Sequence, residues 1–270
     1  MATLGAAMLL AACSGGKDSI GETDHPDKAK ITVTTTWEGI DQSIKPAEYF
    51  AAYGTEELKA TQDTYTFPNL FDAGTHTAYF YNKPDGITIN GTTATANYAA
   101  PIGWLFTGKL TETVEADRDY AFTVPMRQQV RELTLVIEPT GGTADKITEI
   151  TASLSGAAGT LDFGSNAHGT PTSIALTFSK DGDGKWSATV RLLGVAGNEQ
   201  KLTGTIKFTG GTPGDMPLET VLTTDLATFN DNKEEPKILG GTVAQIPTGE
   251  GFTATINGWN TIDAGTGKAN

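Results

Sequence analysis

The chain has 270 residues, a net charge of −13 at pH 7, four arginines and one cysteine. An acidic surface repels nucleic-acid phosphates and anionic lipid headgroups, so we expect no nucleic-acid partner and no electrostatic docking to a membrane. The single cysteine excludes an intramolecular disulfide and a cysteine-rich metal site. Charged residues make up only 19% of the chain while Gly is abundant, which favours short strands joined by turns over long helices.

The N-terminal residues have the pattern of a lipoprotein export signal. Residues 2–12 are apolar and small, and the run closes as Leu10-Ala11-Ala12-Cys13-Ser14. It resembles a lipobox, in which the cysteine is acylated and the chain is cut before it, here between Ala12 and Cys13. About a dozen residues are too few to span the ~30 Å core of a bilayer. No Lys or Arg precedes the run, so we expect the true start to lie upstream of Met1.

The sequence predicts a signal peptide over 1–12 and a flexible tether over 13–30. The tether is polar and turn-rich, which is typical of a flexible linker. Several acyl chains on Cys13 would hold the protein stably in the outer membrane.

From residue 31 onward apolar and polar residues alternate, as they do in half-buried strands. Ile31–Trp37 shows this clearly. Ile87–Ile89 and Thr92–Thr95 flank Asn90-Gly91, the strongest short hairpin signal. Pro125 interrupts the pattern, and we place a domain boundary there. Other strands of this half are predicted at 65–67, 77–81, 104–106 and 120–124.

The second half shows the same alternation of apolar and polar residues and adds one predicted short helix. Leu218–Phe229 carries Leu and Phe at helical spacing and is predicted to be that helix. Strands are predicted at 131–137, 147–154, 159–163, 173–179, 186–193, 202–208, 240–246 and 252–259. A turn is expected at 155–158, and 173–179 is expected to pair with 186–193. The prediction is an all-β chain of two tandem sandwiches, 31–125 and 126–270.

No pattern in the chain predicts catalysis, a metal or a cofactor. His25, His76 and His168 lie far apart without metal-ligand spacing and are predicted to be surface turn residues. Asp181-Gly182-Asp183-Gly184 lacks the further ligands of a calcium loop and is predicted to be a turn. The carboxylate pairs Glu56/Glu57 and Asp117/Asp119 are predicted to be solvated charges. Nucleophile-elbow, phosphate-loop and zinc-protease motifs are absent.

Several runs, in their order along the chain, resemble the fimbrillin-like lipoproteins of Bacteroidales, and most closely the FimB-type minor subunits and anchors. The runs are 67–76, 124–135, 154–161, 188–194 and 256–259, together with the lipobox. The resemblance implies two transthyretin-like β-sandwiches and a surface lipoprotein of adhesive fimbriae. In polymerising members of that family a protease removes the first strand, and a strand from a neighbouring subunit fills the groove, which is β-strand addition.

The arginine distribution favours an anchor or minor subunit over a cleaved stalk subunit. No arginine precedes Arg118, and that stretch offers only lysines such as Lys45 and Lys59. Cleavage at Arg118 would destroy a domain rather than release one strand, so a protease that prefers arginine would leave Ile31–Trp37 in place.

The predicted partners are other fimbrial subunits, the outer membrane through the lipid on Cys13, and a host protein or glycan ligand. The candidate subunit-contact strand is Phe252, Thr253, Ala254, Thr255, Ile256 and Trp259; a plain terminal core strand is the alternative.

A second hypothesis is a surface glycan-binding lipoprotein of a nutrient-uptake system, and a third is a β-sandwich hydrolase. A glycan binder should expose two or more aromatic rings on one flat face, whereas a fimbrial subunit should bury its tryptophans. The four candidates are Trp37, Trp104, Trp186 and Trp259. A hydrolase would need two close carboxylates lining a groove.

Overall fold

The computed structural model describes residues 23–140, 146–209, 215–248 and 251–262. Across these ranges the regular structure is β throughout, with nineteen strands and no helix. No helix long and apolar enough to cross a membrane occurs in the part of the chain described.

The strands of the first half run from residue 29 to residue 128. They are β1 (Ala29–Thr36), β2 (Tyr49–Tyr53), β3 (Glu56–Ala60), β4 (Thr64–Thr66), β5 (Gly74–Tyr81), β6 (Ile87–Asn90), β7 (Thr93–Ala96), β8 (Phe106–Val114), β9 (Arg118–Pro125) and β10 (Arg127–Gln128).

The strands of the second half run from residue 131 to residue 261. They are β11 (Arg131–Thr140), β12 (Ile147–Asp162), β13 (Ala167–Thr177), β14 (Ser179–Lys180), β15 (Trp186–Leu192), β16 (Lys201–Phe208), β17 (Met216–Val221), β18 (Lys237–Thr248) and β19 (Gly251–Thr261).

Two sheets of the first half pack on each other. The first sheet has the order β4-β1-β9 and the second β10-β8-β5-β2-β3. Both contribute to one core, which includes Ile31 and Val33 of β1 and Phe80 and Phe106 of the facing strands. The predicted alternation of β1 is confirmed, since every second residue from Ala29 is buried.

Two sheets of the second half form the same kind of pair. The third sheet has the order β14-β15-β11-β18-β19. The fourth has the order β17-β16-β12-β7-β6, and β13 pairs with the opposite side of β12. Leu133 and Leu135 of β11 face Ile150 and Leu154 of β12 in a core where all four are fully buried.

One hairpin of the first half belongs to a sheet of the second half. The predicted Asn90-Gly91 hairpin forms as β6 and β7, and β7 then pairs with β12. A small third core lies at this junction and includes Ala94, Ile102, Leu105 and Leu161. The hairpin therefore connects the two pairs of sheets.

The helix predicted over Leu218–Phe229 is wrong. Residues up to Val221 form β17, which pairs with β16, and the chain then continues in turns. Leu222, Leu226 and Phe229 are nevertheless fully buried. The spacing predicts the buried apolar residues correctly. In residues 218–221, however, hydrogen bonds to β16 satisfy the backbone in place of helical hydrogen bonds.

Two predicted connections in the second half are also wrong. The turn expected at 155–158 is a bulge within β12, where the register shifts between Leu154 and Ala157 and Gly156 has a φ of 76°. Most of the predicted strand 173–179 lies in β13, which pairs with β12; only Ser179 and Lys180 pair with β15.

A glycine in the centre of the fourth sheet gives a test of this packing. A Cβ on Gly204 would lie 2.0 Å from the carbonyl oxygen of Thr151 and 2.6 Å from Cα of Ala152. Gly204→Ala should lower the free energy of unfolding by about 1–3 kcal/mol, because the two backbones would have to separate. Gly182→Ala is the control, since nothing lies within 4 Å of its Cβ position. Urea unfolding measures both, and equal midpoints would contradict the register in which β12 pairs with β16.

Candidate functional site: the first strand, its N-terminal latch and the terminal hairpin

The first strand is held from both sides. β1 pairs antiparallel with β4 and parallel with β9, the latter along its full length. Hydroxyl pairs on its outer face join Thr32 to Thr66 and Thr34 to Thr64 at 2.8 and 2.9 Å. Removing β1 would therefore break two ladders and expose the core residues beneath it.

The residues just before β1 are fixed to the start of β9, and we call this contact the latch. The backbone N–H and the hydroxyl of Thr23 both donate to Asp117 Oδ1, at 2.8 and 2.6 Å. His25 is buried; its Nε2 lies 2.7 Å from Asp119 Oδ1 and its Nδ1 lies 3.0 Å from the Lys28 carbonyl. The latch joins the C-terminal end of the predicted tether to the body of the protein.

The hydrogen bonds of the latch shift the pKa of His25 upward and the pKa of Asp117 downward. The hydrogen bond to the Lys28 carbonyl raises the pKa of His25; burial opposes this, and the bond to Asp119 adds to the rise. The side-chain and backbone bonds from Thr23 lower the pKa of Asp117. A protonated His25 can donate from both nitrogens at once, to the Lys28 carbonyl and to Asp119.

This geometry revises two predictions about polar residues. Asp119 is exposed, as predicted for a solvated charge, but both Asp119 and the half-buried Asp117 are partners in the latch. His25 is buried rather than a surface turn residue. Sequence reasoning missed the latch because its partners lie 94 residues apart, and the only local signal was the Asp-x-Asp spacing of 117 and 119.

The other two histidines are also not surface turn residues. His76 lies on β5, with Nδ1 2.6 Å from the Tyr53 hydroxyl. His168 Nε2 lies 3.3 Å from Nζ of Lys233, which donates to Gln129 Oε1 at 2.8 Å. Burial, with the neighbouring lysine, lowers the pKa of His168 to about 4, and burial lowers that of Lys233 to about 8.

The remaining candidate charges serve local structure. Glu57 is exposed, as predicted, but it lies on β3 rather than in a loop and accepts hydrogen bonds from Tyr81 and Lys83. Asp181 Oδ1 accepts from the N–H groups of Asp183 and Lys185, which confirms the predicted turn. In the described ranges no three His, Cys, Asp or Glu side chains gather to hold a metal ion.

The side chain of Lys45, the first lysine after β1, contacts two partners. Nζ of Lys45 donates to Asp63 Oδ2 at 2.8 Å and lies 5.1 Å from the ring of Trp37. Asp63 also accepts from Nε1 of Trp37 at 3.0 Å. Lys59 pairs with Glu48.

The tryptophans do not form an exposed aromatic platform. Trp37, Trp186 and Trp259 are between 6% and 8% exposed. Trp104 is half-buried, with the Arg191 guanidinium 4.6 Å from its ring. A fimbrial subunit is expected to bury these rings, and a glycan binder is expected to expose two or more of them on one flat face. The observed burial fits the fimbrial subunit better.

The candidate contact strand is an edge strand. β19 pairs antiparallel with β18, and no strand in the described ranges pairs with its other side. Trp259 belongs to the second-half core, and its Nε1 donates to Thr220 Oγ1 at 3.1 Å. Cys13 and Ala12 lie outside the described residues.

Comparison with known proteins gives the family. A family model described as the fimbrillin-A associated anchor proteins Mfa1 and Mfa2 matches residues 38–265. The chain belongs to this anchor family. The resemblance predicted from the sequence is thereby confirmed. No curated protein matches the chain.

Solved structures share the fold at low sequence identity. A putative adhesin from Bacteroides ovatus is 12% identical with a TM-score of 0.60, covering 84% of this chain and 92% of that one. The fimbrial anchor protein Mfa2 from Porphyromonas gingivalis is 14% identical with a TM-score of 0.56, covering 86% and 98%. The anchor family and these neighbours are described as fimbrial or adhesive proteins rather than as enzymes.

The latch should depend on pH. Because the folded state raises the pKa of His25, its contribution to stability is complete below the unfolded value near 6.5 and is lost as pH rises through the folded value. Asp119→Asn should lower the pKa of His25, measured by NMR titration of the ring, and speed amide exchange in 23–28. Asp24→Asn is the control, since Asp24 is exposed and 3.7 Å from the ring. An unchanged pKa in the Asp119 variant would refute the latch.

Proposed function

We propose that this protein is a surface lipoprotein that anchors adhesive fimbriae, or joins them as an accessory subunit, at the outer membrane. Acyl chains on Cys13, exposed by cleavage after Ala12, attach it. Other fimbrial subunits bind to it by β-strand addition, and the assembled fimbria meets a host protein or glycan. The anchor-family match over residues 38–265 carries this proposal.

The state of the first strand supports an anchor rather than a cleaved stalk subunit. β1 is the central strand of its sheet, and the latch ties the residues before it to β9. The lipid on Cys13 and β1 belong to one continuous chain. A cut after β1 would release that strand together with the lipid and separate the body from its attachment. The proposed anchor therefore needs β1 to stay.

The available basic residues are poor sites for releasing β1. Lys45 follows β1, but its side chain is held by Asp63 and Trp37. Arg118 opens β9, which is the parallel partner of β1, so cleavage there would damage the first sheet instead of freeing one strand. We also propose that the two halves, divided at Pro125, are transthyretin-like sandwiches and that each keeps its own first strand.

The proposed subunit contact uses the outer edge of β19. This edge offers main-chain groups to an incoming strand, with Phe252–Ile256 and Trp259 as the candidate residues. Trp259 already packs in the core, so the contact depends on the backbone of β19 more than on that ring.

The mature protein should keep its first strand. We expect the mass and N-terminus of the protein purified from cells to correspond to an acylated Cys13 with residues 14–36 attached. Fimbrial stalk subunits purified from the same cells serve as the comparison. A mature chain that begins beyond residue 36 would contradict the anchor proposal.

Loss of the lipid should release the fimbriae. Cys13→Ala removes the acylated thiol and should move fimbrial polymer from the cell fraction to the culture medium, measured by immunoblotting of both. Ser14→Ala is the matched control, because it leaves the cysteine intact. Fimbriae that stay cell-bound in the Cys13 variant would show that this chain does not anchor them.

A further inference from the structure

Strand β9 has one edge that no strand in the described ranges covers. β9 pairs with β1 on one side, and no described strand pairs with the other. The Met126 N–H donates to the Thr36 carbonyl at 2.9 Å, and Pro125 has no N–H to offer. Because N–H directions alternate along a strand, those of Asp119, Ala121 and Thr123 point to the open edge.

The second half shows what covers the corresponding edge. β18 runs parallel to β11, as β9 runs parallel to β1. On the far side of β18 lies β19, antiparallel to it, in pairs that extend from Leu239 with Thr261 to Thr248 with Gly251. The first sheet, β4-β1-β9, thus matches β15-β11-β18 of the third sheet in strand directions and has no counterpart of β14 or β19 at its two ends.

The missing strand leaves core side chains incompletely covered. On β18, the inward residues Leu239 and Val243 are fully buried, and Trp259 of β19 packs over them. On β9, Tyr120 and Phe122 lie beside Ile31 and Val33 in register but are only half-buried. Their rings stack on each other, with centroids 5.5 Å apart and an interplanar angle of 13°.

The edge also lacks the usual protection against pairing. Natural edge strands are often blocked by charges, proline or bulges. The charges of β9 are confined to Arg118 and Asp119 at its start, and its only proline is its last residue. The stretch between them, residues 120–124, is uncharged and mostly apolar.

We propose that the open edge of β9 receives an extended strand from a neighbouring fimbrial subunit, which runs antiparallel to β9 and covers Tyr120 and Phe122 while β1 stays in place. This rests on the proposed function. Main-chain hydrogen bonds to Asp119, Ala121 and Thr123 supply affinity, and the two rings select a strand in which apolar and small polar residues alternate. The incoming strand occupies on β9 the place that β19 occupies on β18.

A peptide with the sequence of β19, residues 251–261, is the probe, because that strand covers the equivalent edge. It is added to the full-length protein, and backbone amide exchange is followed by mass spectrometry and NMR. We expect saturating peptide to slow exchange at Asp119, Ala121 and Thr123 by about tenfold or more. Ala121→Pro, which removes the central donor, should weaken peptide binding about tenfold. Ala121→Ser keeps the N–H and should bind as the unmodified protein does.

Several results would overturn the proposal. One is protection confined to β18, which would mean that the peptide only replaces β19. Another is equal peptide affinity in the Pro and Ser variants. A dimer of the unmodified protein that Ala121→Pro abolishes would assign the edge to a second copy instead of a neighbouring subunit. If the Pro variant does not fold, as judged by thermal unfolding, the exchange data on the unmodified protein decide.

The test separates this inference from the proposed function. Cells carrying Ala121→Pro that keep normal cell-bound fimbriae would refute a role for the β9 edge and leave the anchor role intact. Fimbriae that remain attached in the Cys13→Ala variant would refute the anchor role without bearing on peptide binding at β9.

Discussion

Two parallel strand pairs set the plan of the molecule. β1 bonds to β9, and β11 bonds to β18, so each half is closed by a contact between its first strand and a strand near its end. Parallel neighbours need a long connection, and here that connection is the rest of the half. Each half can therefore complete its sheet only when the intervening chain has folded, and the edges left after closure are those that a partner can reach.

This plan links the proposed attachment to the proposed assembly. The residues just before β1 meet the body beside the start of β9, where Thr23 and His25 bond to Asp117 and Asp119. The same strand presents its other side as an open edge. A chain that keeps β1 can thus be fixed at one side of β9 and remain available for pairing at the other.

The period-two pattern was enough to predict β1, β16 and the Asn90-Gly91 hairpin, because alternation and turn chemistry are local. The helix at 218–229 failed for a physical reason. A spacing of four, as between Leu218 and Leu222, is even, so it satisfies a strand as well as a helix. Pairing of β17 with β16 then decided between them.

Other features depended on contacts that no local pattern contains. His25 lies in a polar run, yet it is buried and bonds to Asp119 and to the Lys28 carbonyl, contacts that the run itself does not indicate. The long β12 was divided by a predicted turn, because Ser-Gly-Ala-Ala has turn composition and a bulge needs the same glycine. Membership of the anchor family was recognisable from the order of short runs, although each run alone was weak.

The hairpin β6–β7 has a mechanical consequence for the proposed anchor. It leaves the first half to join the fourth sheet, where Thr95 and Ala94 pair with Thr160 and Leu161. Bending the molecule between its halves would strip this hairpin from β12 and open the small core beneath it. The two halves should therefore respond to a pulling force as one rigid unit.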